Sequence, residues 1–239
     1  MYYNNLRRAC GGKMYKNNKY FKICIVLVFS LIFIYLIVKL DIFNKEHLLK
    51  LISERKTSTY FQVYFMLIAA ILLVFFVPIS WISLSAAILF GIRGSALITI
   101  AGMISSILSF GIARIFKEDV SNLVEKIYNK KERKITLDDI YSKVKEYGFS
   151  YVFFIRSMPF IPFSIGNYIF GISFVSFRDF FLATLLAVSM GQSINIYFFH
   201  KAINIGKNPI DTIMAAALKG LYFLIIILWQ KKSKYISKE

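Results

Sequence analysis

Four apolar runs lie between Phe61 and Phe199, and two of them are broken by proline at points where a membrane helix would have to be continuous. Ser95 to Phe116 and Phe174 to Phe199 are unbroken. At about 1.5 Å per residue, each is long enough to span a hydrocarbon core of about 30 Å. Phe61 to Val77 stops at Pro78, and a short stretch from Ile79 to Phe90 then ends in Gly91-Ile92-Arg93-Gly94. Phe149 to Gly171 is interrupted by Arg156, Pro159, Pro162 and Gly166. In lipid every backbone N–H and C=O needs an internal partner, so irregular backbone is tolerated only against other protein or a water-filled cavity. The two breaks therefore predict two such places within the membrane.

Composition agrees with a membrane protein. The chain is 57% hydrophobic and 18% charged, against about 25% charged in a soluble domain. Cys 2, Pro 4 and Gly 12 exclude disulfide-scaffold and collagen-like classes. Net charge is +17, from 30 Lys+Arg against 13 Asp+Glu. With no aromatic-and-basic nucleic-acid module present, no nucleic-acid partner is expected. The charge is read as cytoplasmic loops that meet anionic headgroups. Cys10 and Cys24 have no His or Cys neighbour and read as free thiols. G-x-S-x-G, H-E-x-x-H, P-loop and G-x-G-x-x-G are missing, so no enzyme, metal or cofactor is expected.

Residues 1–22 form a basic tail, and 23–40 read as an uncleaved signal-anchor transmembrane helix. Residues 60–200 form the membrane domain. It has re-entrant hairpins at about 61–91 and 149–171, transmembrane helices at about 95–116 and 174–199, and a charged, solvated connector at 117–148. A last transmembrane helix, 213–230, precedes the basic tail 231–239. In this topology the inside segments carry six, eight and four Lys/Arg, and the outside loops 41–59 and 200–212 carry four and two. That asymmetry satisfies the positive-inside rule with both termini cytoplasmic. Richness in Lys, Ile and Asn suits an AT-rich bacterial genome, hence a plasma membrane.

The broken runs repeat. Pro78 leads to Phe90-Gly91-Ile92 and a spanning helix; Pro159 leads to Phe170-Gly171-Ile172 and another. In opposite orientation these are an inverted repeat, an architecture common among secondary transporters. The fold class is thus an all-α polytopic membrane protein: two re-entrant helical hairpins, each followed by a transmembrane helix. Pro78, Pro159 and Pro162 break the helices, and Gly91 and Gly171 permit tight returns. Small residues recur every four positions at Ala101, Ser105, Ser109 and Ala113, and at Ala183, Ala187, Gly191 and Asn195. Such faces let membrane helices approach closely.

Arg156 stands out, because a charge within an apolar membrane segment costs roughly 2.5–3.5 kcal/mol. Facing a hydrated cavity, its planar fork suits a phosphate or carboxylate; near the cytoplasmic rim it would snorkel instead. Arg178, beside Asp179 at a helix start, is a secondary headgroup contact or a rim residue. Asn167, Gln192 and Asn195 are uncharged polar groups that either line a cavity or hydrogen-bond between hairpin and helix.

The stretch Phe154-Ile155-Arg156-Ser157-Met158-Pro159-Phe160-Ile161-Pro162-Phe163, with Asn167 through Ile172 and Val175 through Phe180, resembles the DedA superfamily. It is most similar to the SNARE-associated, VTT-domain (Tvp-like) branch. The resemblance covers about residues 60–200 and implies two opposed re-entrant hairpins. For several relatives it also implies movement of phospholipids or polyprenyl-phosphate carriers between leaflets. The acid near the first hairpin and the second arginine of the DedA transporters are absent here, so the resemblance does not extend to proton coupling through that pair. The expected function is translocation of a lipid with an anionic headgroup. Arg156, Arg178 and Asn167 would meet the headgroup, while Gln192 and Asn195 line or pack the path. The alternatives are a small-ion or solute transporter of the same fold, and a non-transporting membrane scaffold. Membrane lipids are the expected partners, with homo-oligomerisation left open.

Overall fold

The structure, a computed structural model, describes residues 58–128, 136–158, 161–206 and 208–232. The basic N-terminal tail, the signal anchor 23–40, Pro159 and residues 233–239 of the basic C-terminal tail lie outside these. The described residues are all-helical: α1 (Thr59–Val74), α2 (Ile79–Phe90), a 3-10 turn (Gly91–Arg93), α3 (Gly94–Ile115), α4 (Lys117–Tyr128), α5 (Leu137–Tyr147), α6 (Phe149–Ser157), α7 (Phe163–Ile172), α8 (Phe177–Ile203) and α9 (Pro209–Lys232). Ile79–Ile115, Phe177–Ile203 and Pro209–Trp229 are long and apolar enough to cross a membrane.

The helix boundaries follow from local chemistry. Pro78 and Pro162 occupy the N-cap positions of α2 and α7 with extended ψ values of 126° and 138°. Proline has no N–H to lose there, and it drives the residue before it out of the helical region. Pro162 is thus the counterpart of Pro78, which corrects the pairing of Pro78 with Pro159. The Ser176 side chain accepts from the Asp179 amide at the start of α8, and Thr136 and Asp139 form a reciprocal capping box on α5.

Each break creates a helix–turn–helix pair. In the first, Phe61 and Phe65 of α1 pack on Phe90 at the far end of α2, with ring centroids 5.7 and 5.1 Å apart. In the second, Arg156 of α6 reaches across to Phe163 and Asn167 of α7. The two pairs open at opposite ends of the bundle. At one end Gly91 abuts His200, late in α8; at the other, Gly171 abuts Ala113, late in α3. Phe110 stacks on Phe180 and Gly102 meets Val188, so α3 and α8 run antiparallel.

The second limb of each pair lies parallel to the long helix of the other unit. Ser83 of α2 meets Gln192 of α8, and Asn167 of α7 meets Ser106 of α3. The first limbs pack on their own unit's long helix, α1 on α3 and α6 on α8. Exchanging α1–α3 with α6–α8 preserves these relations, as an inverted repeat requires. The four limbs have 16, 12, 9 and 10 residues, each short of the roughly 20 that span a bilayer.

Gly91 is the turn residue expected of it, with φ +60°, a conformation L side chains rarely adopt. Gly171 is not. It sits inside α7, where an added Cβ would come 2.5 Å from the Ala113 Cβ and 2.9 Å from the Phe110 carbonyl oxygen. Its role is close helix approach rather than chain reversal. The small-residue stripe on α3 faces the same way, with Ala101, Ser105, Ser109 and Ala113 all fully buried.

The connector also departs from expectation. It is helical as anticipated, but not merely solvated: Val120, Val124, Ile140 and Val144 join the buried cluster that contains Val152, Phe154 and Phe170. The apolar residues of α4 and α5 recur at helical spacing, so one face enters the bundle while the charges stay outside.

Candidate functional site

The tips of the two pairs meet. α1 ends with the carbonyls of Leu73 and Val74 buried and beyond the reach of its own ladder, as the last turn of any helix does. The second unit supplies their partners: Ser164 Oγ donates to the Leu73 carbonyl at 2.5 Å and Tyr168 Oη to the Val74 carbonyl at 3.0 Å. Phe76, between α1 and Pro78, has φ +66°, strained for a bulky residue. It is held by stacking on Tyr168 at 5.2 Å between ring centroids.

Beside this junction lies a cavity of about 400 Å³. Its walls are the first tip (Phe76–Ser80), the second tip (Ile155–Ser164 in part), α8 from Ala187 to Asn195, and Lys219, Tyr222 and Phe223 of α9. No described Asp or Glu lines it. α2 and α7 both begin on this wall, with no side-chain cap and no acid in their first turns. The first amides of each helix, with the partial positive charge of the helix dipole, lie at the cavity.

Arg156 lies on the same wall and is only partly buried. Its Nη1 donates to the Phe163 carbonyl at 3.2 Å, and its Nη2 donates to Asn167 Oδ1. Nε is buried without a partner. The guanidinium lies over the rings of Phe163, Phe170 and Phe180, 5.0–5.4 Å from their centroids. The rings attract a cation through their quadrupoles without neutralising it. No described carboxylate pairs with Arg156. The arrangement is a fixed cation, two helix N-termini and an apolar enclosure, a set that favours an anion.

Gln192 and Asn195 both line the cavity. Ser83 Oγ donates to Gln192 Oε1 at 2.6 Å, so Gln192 also performs the helix-to-hairpin bonding that was its other reading. Asn167 is fully buried behind the cavity wall. Its Oδ1 accepts from Arg156 and from Ser106, the latter at 3.0 Å. It therefore orients the guanidinium instead of meeting a ligand directly. Pro78 and Pro162 lie on the wall, whereas Gly91 and Gly171 do not. Arg178 is exposed in the first turn of α8 and is not part of the cavity.

Two cavity residues escaped the sequence reading. Lys219 lies inside the last transmembrane helix expected from the sequence, 213–230, although Lys219, Tyr222 and Phe223 at i, i+3 and i+4 form one helix face. Phe76 carried no sequence signal, because a positive φ at phenylalanine is set by the packing around it.

A family model for the VTT domain matches residues 77–201, just over half of the chain, from the first tip to the end of α8. No curated protein and no solved structure matches it. The matched segment holds both proline breaks, Arg156 and α8 along one side of the cavity, while α9 follows it, and the chain belongs to the VTT-domain family, the domain of the DedA and SNARE-associated membrane proteins.

Proposed function

We propose that this protein is a non-enzymatic lipid translocase that passes an anionic headgroup, that of a phospholipid or a polyprenyl phosphate, across the bilayer through the cavity between its hairpin tips. In this reading each helix pair enters the membrane from one face and returns to it, and the acyl chains stay in lipid. The observation that carries it is Arg156, which stands at the cavity wall with no carboxylate partner among the described residues. A cation so placed is costly in a membrane protein unless it serves an anion. The family membership supports a membrane role for the same residues. The reading includes a bacterial plasma membrane with both termini cytoplasmic, which rests on composition and the distribution of Lys and Arg.

The test is lipid translocation in reconstituted vesicles. The wild-type chain should move a labelled anionic lipid between leaflets, and Arg156→Ala, incorporated to the same level and equally folded, should not. Equal transfer by the two proteins would remove Arg156 from the mechanism.

A further inference from the structure

We infer that Lys219, on a helix outside the family-matched segment, is a second headgroup ligand of the cavity and sets its preference for anionic over zwitterionic lipids. The inference rests on the lipid-translocase reading given above. α9 begins after residue 201, where the family match ends. Its outer face, including Leu218, Leu221, Ile225 and Leu228, is exposed and apolar, as a lipid-facing surface is. Lys219 is on the other face, with Tyr222 and Phe223, and lines the cavity.

A lysine in a spanning helix ordinarily extends to the headgroup region or finds a carboxylate. Lys219 has no carboxylate partner among the described residues. Its ammonium lies over the rings of Phe198 and Phe199 of α8, 4.4 and 5.1 Å from their centroids, and it is partly buried. Those rings follow Asn195 by three and four residues, so the ammonium is held about one helical turn along α8 from a cavity-lining amide. Aromatic faces hold a cation but leave its charge uncompensated, and a phosphate is the stronger partner. On a flexible stem, the ammonium can leave the rings for an anion entering the cavity.

With Arg156 and Lys219 both present and no acid among the lining residues, the cavity holds two uncompensated positive charges. A zwitterionic headgroup brings its own ammonium into that field and is repelled; a purely anionic headgroup is not. Like-charge rejection of this kind is a common source of specificity. Arg156 alone would bind either phosphate, and Lys219 adds the discrimination.

The experiment compares wild type with Lys219→Gln and Lys219→Arg in two assays. In detergent, binding of short-chain phosphatidylglycerol and short-chain phosphatidylcholine is titrated calorimetrically. In vesicles, translocation of labelled forms of the same two lipids is timed. Wild type and Lys219→Arg should favour phosphatidylglycerol, and Lys219→Gln should lose at least about tenfold of that preference with an unchanged melting temperature. A preference that survives in Lys219→Gln overturns the inference, and so does one lost in Lys219→Arg while its melting temperature holds. If wild type binds with this charge preference yet moves neither lipid, the translocase reading fails and the two-cation binding site stands.

Discussion

Tyr168 Oη donates a hydrogen bond to the carbonyl oxygen of Val74, 94 residues earlier in the chain, across 3.0 Å. Together with Ser164 on Leu73, it makes the second unit complete the C-terminus of the first unit's leading helix. The strained Phe76 and the proline-started α2 then fall between two fixed points. The first helix pair does not have a satisfied backbone without the second, so the two tips and the cavity beside them are coupled.

Tyr168→Phe keeps the ring that stacks on Phe76 and removes only the hydroxyl, leaving the buried Val74 carbonyl without its donor. An unsatisfied buried acceptor costs about 1–3 kcal/mol. The variant should melt earlier than wild type in detergent, and Ser164→Ala should do the same through Leu73. Because both bonds close one junction, the double variant should lose less or more than the two single losses combined, not their simple sum. A melting curve for Tyr168→Phe that overlays wild type would show the Val74 carbonyl to be satisfied some other way.

Gly171→Ala tests the close approach of α7 to α3. The added methyl would meet the Ala113 Cβ at 2.5 Å and the Phe110 carbonyl at 2.9 Å. Overpacking of this order destabilises by typically 1–3 kcal/mol. Ala113→Gly in the Gly171→Ala background removes the first obstacle and not the second, which is backbone. Stability should therefore recover in part and remain below wild type, as read by thermal unfolding.

How much of this was legible beforehand depends on what kind of physics each residue answers to. The proline breaks, the long apolar runs, the buried stripe Ala101–Ser105–Ser109–Ala113 and the exceptional position of Arg156 are local statements about backbone and hydropathy, and a sequence carries them directly. Pro159 and Pro162 are both able to break a helix, and spacing alone does not say which one starts the next, so the counterpart of Pro78 is set by the structure. Asn167 looked like a ligand and is a positioning residue, since its burial and its two donors come from α6 and α3. The apolar faces of α4 and α5 were outnumbered by fifteen charges in the connector. The positive φ of Phe76 depends on contacts across the chain, and so does the placement of Lys219, whose shared helix face with Tyr222 and Phe223 the sequence does carry.

Asn167→Asp would put a carboxylate where a neutral amide now accepts from both Arg156 and Ser106. Both donors favour the ionised form. The result is an internal ion pair, which neutralises the cation that faces the cavity. We expect an equal or higher melting temperature together with at least about a tenfold loss of anionic-lipid translocation. Stability and transport then move in different directions, which general misfolding would not produce. Undiminished translocation by Asn167→Asp would mean that the free charge on Arg156 is not what draws the headgroup.

The opposed arrangement of the two pairs predicts a pattern of water access. Ser80 and Ser157 line the cavity from the first and second tips, whereas Ala86 and Ile169 are buried within the bundle. In a background with Cys10 and Cys24 replaced, Ser80→Cys and Ser157→Cys should react with a small water-soluble thiol reagent in intact vesicles, and Ala86→Cys and Ile169→Cys should not. The two helix pairs open at opposite ends of the bundle, so cysteines at their open ends should differ in sidedness. Tyr60→Cys, exposed at the start of α1, and Ser150→Cys, exposed at the start of α6, should label from opposite faces of the membrane with an impermeant reagent. Labelling of both from the same face would contradict the inverted repeat, and a cavity that excludes the reagent at Ser80 and Ser157 would leave no wet passage for a headgroup to use.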